Sequence, residues 1–307
     1  MRDLKDYALG EWAVGAPLSH RARRLRNIAI DTLYARREAA DQDALVTDLQ
    51  RRQPAVLAVT IAFNLPDAIA LLCEGLERFV PRATLLVCDN SSDPAARNAI
   101  ACLCRQRAVA YCALPAAPQP HSKPNGSRSH GVALNWVWRN LIRPVQPAVF
   151  ALLDHDLVPL GPDDLAARVA RQPVYGMVRH GMRGPEWYLW PGYSVFDFAA
   201  VRHVSLDFGT DTPLTLDTGG QNWQVLYRHL NPVDLAQAYT RQVYLSDPVT
   251  GEVESHLLAD TWLHVGGAGH RGGGMAALKR VRAAYEADPD GLLGRLIASA
   301  EPGARAA

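Results

Sequence analysis

"VFALLDHDLVPL", residues 149–160, decides how the chain is read. Val149 to Leu153 are all apolar, then come Asp154, His155 and Asp156, and then the chain turns apolar again. A solvated turn needs neither so much apolar lead-in nor two acids. A short apolar run bounded by polar residues reads as a strand covered on both faces, the kind found in parallel sheets. The two acids then stand at the carboxyl end of that strand, and the question is which positive charge they meet.

The same pattern recurs upstream. Pro54 introduces "AVLAVTIAF" (55–63), apolar on both faces, and Asn64 to Asp67 turn the chain into "AIALLCEGLERF", which has helical spacing. "ATLLVC" (83–88) is a second buried strand ending at "DNSSDP", a polar turn with cap residues and a proline. "AARNAIACLCRQR" is a helix, "AVAYCAL" a third strand, and "GVALNWVWRNLI" a further helix before the opening stretch. Strands alternating with helices predict a parallel sheet with right-handed crossovers. Ligands gather at the carboxyl ends of such strands. Asn64, the turn Asp89 to Asp93, and the segment Asp154 to Asp156 should therefore converge.

On either side the pattern differs. Residues 1–50 read as helical, with Pro17 their one proline. After residue 172 the chain mixes short strand-like runs with aromatics, glycine and proline, and looks more antiparallel. "LDTGGQNWQVLYRHL" reads as a turn into a helix, "DTWLHV" as a short strand and "MAALKRVRAAYEA" as a last amphipathic helix. The expected division is 1–50, a helical extension; 51–172, a regular strand–helix half; 173–275, a less regular half ending in a glycine-rich loop; and 276–307, a helix and tail.

With 307 residues, 48% of them apolar, a sizeable core can form. The net charge of +1 argues against a nucleic-acid partner. The five cysteines (73, 88, 102, 104 and 112) are not a disulfide scaffold and are expected to be ordinary buried thiols. "MRDLKDYALGEW" lacks an apolar signal core, and no run approaches the roughly 20 apolar residues that span a bilayer. The expected location is the cytoplasm. "SHRARRLRNIAIDTLYARRE" (19–38), an apolar stripe bracketed by arginines, reads as a basic surface helix packed on its own domain; peripheral contact with the inner face of the membrane is the other reading.

Two carboxylates at i and i+2 on a strand end can hold a divalent cation, and Mg²⁺ or Mn²⁺ usually shares such a site with phosphate oxygens. The bland alternative is that Asp154 and Asp156 cap the following turn. With these motifs in order, the chain resembles the GT-A glycosyltransferases, and among them the large inverting glycosyltransferase family 2. The resemblance covers about residues 54–270 and rests on "VTIAFN", "LLVCDNSSD" and "FALLDHDLVPL". It implies an α/β fold of GT-A type: a mostly parallel, Rossmann-like sheet flanked by helices, here with an N-terminal helical extension. It implies a nucleotide-diphosphate sugar as donor, a UDP-sugar foremost, with Mn²⁺ or Mg²⁺, and makes 51–172 the donor-binding half and 173–275 the acceptor half with a metal or diphosphate loop. It assigns Asp89 to the base, Asp154 to ribose or sugar and to the metal, and Asp156 to the metal. Asn64 would line the nucleoside pocket. Asp217, in "LDTGGQNW", would be the base, although the family's Glu-Asp is Leu216-Asp217 here; it could instead cap the helix, with Thr218 as rival cap. His264 or His270 would complete the metal or diphosphate site.

Further candidates are weaker. Asn135 could face the donor, and Lys123, Arg128 and His130 could reach phosphates or lie solvated. Trp187, Tyr188, Trp190 and Tyr193 could stack on an acceptor or form a small core. His155 is expected to point away. Gly267, Gly269 and Gly272 spell G-x-G-x-x-G, but no second strand follows to complete a dinucleotide-binding unit. The acceptor would be a glycan, a lipid-linked group or a small molecule, and the oligomeric state is left open. A sugar nucleotidyltransferase is the other enzyme reading, although "FNLPDA" lacks the glycine-rich, basic loop it would need. The third is a non-catalytic nucleotide- or sugar-binding module.

Overall fold

A computed structural model describes residues 4–116, 126–182, 184–247, 250–267 and 273–300. The continuous apolar runs become strands because both of their faces are covered. In β1 (Val56–Ala62) every residue is buried. Val56, Ala58 and Ala62 pack into one hydrophobic cluster, and Leu57, Val59 and Ile61 into another on the opposite face.

The chain starts with the expected helices: a 3₁₀ turn (Leu4–Asp6), α1 (Leu9–Ala13), α2 (Ala16–Tyr34) and α3 (Gln42–Arg52). After β1 come α4 (Pro66–Phe79), β2 (Ala83–Asp89), α5 (Pro94–Gln106) and β3 (Ala110–Ala113). Both α4 and α5 start on proline, which needs no N–H at that position. The Asp93 carboxylate caps α5 by accepting from the Ala95 N–H at 3.0 Å. α6 (Gly126–Val137) widens to π spacing over Trp138–Ile142, ahead of Pro144, which has no N–H to donate, and closes with α7 (Arg143–Val145).

β4 (Val149–Leu153) then runs parallel to β1, and the register aligns Thr60 with Leu153 and Ala62 with Asp89. The main sheet has the order β3-β2-β1-β4-β7-β6. Its last two strands, β6 (Val174–His180) and β7 (Trp187–Asp197), are antiparallel. The fold is therefore α/β, with a mostly parallel central sheet flanked by helices and an N-terminal helical extension. The chain leaves β1 toward β2 and β3 on one side and returns to β4 on the other. The crevice of a doubly wound sheet thus opens at the carboxyl ends of β1 and β4.

A second sheet, β5-β10-β9-β8, was not foreseen as a unit. It joins β5 (Leu157–Pro159) with β8 (Thr240–Ser246), β9 (Val253–Ala259) and β10 (Trp262–His264). Only Asp154, His155 and Asp156 separate β4 from β5, so this triplet links the two sheets. Two short helices, α8 (Leu165–Arg168) and α9 (Phe198–Val201), punctuate the connections, and α10 (Gly274–Ala287) and α11 (Leu292–Ala298) end the described chain.

Two expectations are corrected. "LDTGGQNWQVLYRHL" forms no α-helix, only the 3₁₀ turns Gly220–Trp223 and Tyr227–His229. Gly219 takes φ 89°, and the buried Asn222 side chain accepts the Asp207 N–H at 2.8 Å, tying the segment to a loop instead. Of the five cysteines, Cys102 is exposed, while the other four are buried. Burial lifts the thiols of Cys73, Cys104 and Cys112 to about 12, which keeps them inert.

Candidate active site

At the junction of the sheets three side chains converge. Asp154, Asp156 and His264 each offer a ligand atom, and these atoms lie within 4.8 Å of one another. His264 Nε2 is 3.4 Å from Asp156 Oδ1 and 3.9 Å from Asp154 Oδ2. Backbone pairing fixes the arrangement. His264 sits opposite Leu157 where β10 meets β5, and the Val265 N–H donates to the Asp156 carbonyl at 3.0 Å. The Asp154 N–H donates to the Gly192 carbonyl at 2.9 Å, tying the triplet to β7.

Trp190 lies over the His264 ring, with centroids 4.6 Å apart and planes tilted 58°. Gly192 makes room for it, since a Cβ there would collide with the Trp190 indole. Burial alone would lower the His264 pKa. The hydrogen bond its ring donates to Asp156 and the charges of Asp156 and Asp154 outweigh it and raise the value above 6.5. An octahedral Mg²⁺ or Mn²⁺ with ligands at about 2.1 Å wants neighbouring donors roughly 3 Å apart. The 3.4 and 3.9 Å separations come near that, and two carboxylates with one imidazole are a donor set that Mn²⁺ accepts.

The other expected residues fall in different places. Asn64 does sit at the same sheet edge, in the left-handed region (φ 55°) that asparagine tolerates. Its side chain is used as a brace: the carbonyl accepts the Ser92 and Asp93 N–H groups at 3.0 Å, and the amide donates to Ser92 Oγ. Asp89 is fully buried, with one oxygen accepting the Ser91 N–H at 2.8 Å and the other the Tyr111 hydroxyl at 2.9 Å. Its carboxylate faces the interior and shapes the turn. The neighbouring Asn90, half-buried, is bonded to Ser129 Oγ on α6 at 3.0 Å. Asn135 spends both ends of its amide on the 207–208 loop, donating to Asp207 Oδ1 and accepting from the Phe208 N–H.

His155 does not merely point away. It is buried, and its Nδ1 accepts the Phe63 N–H at 3.2 Å, bracing the end of β1 against the acid triplet. Asp217 stays in the vicinity. Its carboxylate acts on His130, which also feels Asp154 and Asp156, and Thr218 Oγ1 donates to the Ser127 carbonyl in the first turn of α6. Burial lowers the His130 pKa against those carboxylates, so its ring is neutral at neutral pH. Arg128 is paired in a fork with Asp31. Lys123 and His270 lie outside the described residues.

The aromatic segment is corrected as well. Trp187, Tyr188 and Tyr193 are buried core residues of β7, and of the four only Trp190 is partly open, beside His264. Sequence reasoning missed Arg179, an exposed cation on β6 close enough to act on His264 and Tyr188. A charged residue near a strand end, between Val178 and His180, carries no local mark of such proximity.

No model of a known protein family matches the chain, and no curated protein does. Among solved structures the chain is similar to the mannosyltransferase PcManGT from Pyrobaculum calidifontis, in complex with GDP-Man and Mn²⁺. The identity is 13%, the TM-score 0.35, and the match covers 59% of this chain. It spans 55% of the other chain, about half its length. A likeness of that size says nothing about the site, whose reading rests on its own geometry.

Proposed function

We propose that the chain is a metal-dependent inverting glycosyltransferase. It would move a sugar from a nucleotide-diphosphate sugar, a UDP-sugar foremost, to a glycan, lipid-linked or small-molecule acceptor. One observation carries this reading. Asp154, Asp156 and His264 meet at the topological switch point of a mostly parallel sheet, where a nucleotide's phosphates would lie. The sequence resemblance to GT-A enzymes supports it independently.

Asp156 and His264 would hold Mn²⁺ or Mg²⁺, with Asp154 sharing the ion or turning to the ribose. The ion, when bound, neutralises charge that builds on the departing diphosphate. Arg179, close enough to act on His264, would add positive charge beside it. Asp217 would take the proton of the acceptor hydroxyl as that oxygen bonds to the anomeric carbon and the bond to the diphosphate breaks. The buried His155 brace and the Trp190 ring hold the triplet and His264 in place.

The test is binding and turnover together. Calorimetry with UDP, GDP and dTDP should show binding that needs Mn²⁺ and disappears in Asp156→Ala. No binding of any of the three with metal present sinks the reading. Donor hydrolysis by the wild type, lost in Asp217→Asn with donor affinity kept, supports the enzyme. Donor binding without turnover in the wild type favours the non-catalytic module.

A further inference from the structure

α2 is amphipathic the wrong way round. A surface helix normally turns its apolar stripe to the core and its polar face to water. In α2 the inward face, at helical spacing, is Pro17, His20, Arg24, Asn27, Asp31 and Tyr34. Tyr34, at the helix end, packs into the core beneath, while polar contacts hold His20, Arg24 and Asp31. His20 Nδ1 meets the Tyr7 hydroxyl at 3.2 Å, Arg24 bonds Gln221, Asp31 pairs with Arg128, and Tyr34 donates to the Pro115 carbonyl at 2.9 Å. The opposite stripe is Leu18, Ala22, Leu25, Ala29 and Leu33, spaced four, three, four and four residues apart. Leu18, Leu25 and Leu33 are 66%, 68% and 63% exposed. Among the described residues nothing of the chain covers this stripe. The adjoining α1 and its end add Leu9, Trp12 and Val14, also exposed.

Charge selects the occupant. Residues 16–37 carry six arginines and one acid, Asp31, which points inward and is already paired. Exposed Arg21 and Arg26 flank the apolar stripe on its two sides, and Arg23 lies beyond Arg26. If a second copy packed stripe to stripe, these arginines would face arginines with no acid among them, and like charges at such flanks repel. An anionic lipid surface complements both halves of the pattern. Leucines and a tryptophan enter the boundary between headgroups and acyl chains, while arginines snorkel to the phosphates. No helix among the described residues is long and apolar enough to cross a membrane, so such a contact would lie on the surface.

We infer that α2, with α1 beside it, is a membrane-surface anchor whose Leu18–Leu25–Leu33 stripe lies in the headgroup region of an anionic bilayer. This inference is independent of the transfer chemistry and is read out without nucleotide or metal.

The test is co-sedimentation of the full chain with vesicles of phosphatidylcholine alone and of phosphatidylcholine with phosphatidylglycerol. The wild type should sediment with the anionic vesicles only, and release as salt rises. Leu18→Ser/Leu25→Ser/Leu33→Ser should lose at least about tenfold in binding while keeping its melting temperature, because these side chains are exposed. Arg21→Glu/Arg26→Glu should lose binding to anionic vesicles as well, and serves if the triple variant misfolds. Wild type that stays in the supernatant, binds both vesicle types alike, or binds as well when the leucines are replaced overturns the inference. So does a wild-type dimer in solution that the triple leucine variant splits, which would give the stripe to a second copy.

Discussion

Two pairs of aspartates sit close together in the fold and do opposite work. Asp163 and Asp260 lie among Arg168, Tyr175, Tyr193 and Trp262. Asp163 accepts from Arg168 Nε at 2.9 Å, the Tyr193 hydroxyl at 2.9 Å and Trp262 Nε1 at 2.8 Å. Asp260 accepts from the Tyr175 hydroxyl at 2.6 Å and the Tyr239 N–H at 2.9 Å. A guanidinium stays charged at any working pH, so Arg168 is a permanent counter-charge for this pair. Asp154 and Asp156 meet an imidazole instead, which can give up its proton. A carboxylate pair with a permanent cation is part of the fold. One whose cation can leave is ready to exchange it for a metal ion.

The largest effect should come from the first pair. Asp163→Ala takes the 2.9 Å partner from Arg168 and the acceptor from the Trp262 indole N–H, leaving the Tyr193 hydroxyl only Asp260 at 3.2 Å, and should destabilise the protein by about 3 kcal/mol in urea unfolding. A loss below about 1 kcal/mol would break the contrast, because Asp163 would then be as dispensable to the fold as a ligand. Asp156→Asn should do the reverse. Mn²⁺ affinity should fall by at least about 100-fold, more than is usual for a residue that only supports a ligand, while stability without metal shifts by about 1 kcal/mol or less. Mn²⁺ titration followed by electron paramagnetic resonance, alongside the same urea curves, measures both.

The exchange of cations should also be visible in pH. The His264 pKa is raised above 6.5, so its ion pair stabilises the metal-free protein fully below 6.5 and is lost as pH rises through the folded value. Metal binding needs the neutral ring and gains over the same range. Melting temperature should therefore carry a falling contribution from His264 without Mn²⁺ and a rising one with it, both absent in His264→Asn. His130 and His256 have lowered pKa values, so their contributions fall below 6.5 and leave this window clear. Parallel wild-type and His264→Asn curves across the window would end the assignment. The smallest effect is expected from Trp190→Ala, which removes the ring over His264: about tenfold in Mn²⁺ affinity, with the pH response retained.

Much of this was legible beforehand. The runs at 55–63, 83–88 and 149–153 needed no partner to be read as strands, since short apolar runs bounded by turn residues fit a sheet covered on both faces. Their polar ends then had to share an edge. What was not legible was which way each polar group turns. Asp89, which the resemblance gives to the nucleotide base, has its two oxygens on the Ser91 N–H and the Tyr111 hydroxyl. Asn135 and His155 likewise serve as braces, accepting the Phe208 and Phe63 backbone N–H groups. Three of the four aromatics near residue 190 were needed to fill β7, leaving only Trp190 beside the site.

By itself, then, the sequence determined the alternating strands and helices, the common edge of their polar ends and the acid triplet after β4, because local periodicity records which faces are buried. The tertiary structure decided that His264, which only the resemblance had named, reaches those acids from a second sheet, and that α2 turns its leucines outward. Those outcomes depend on pairing between segments distant in the chain, and on which face of a helix finds polar partners. Spacing within a segment carries neither.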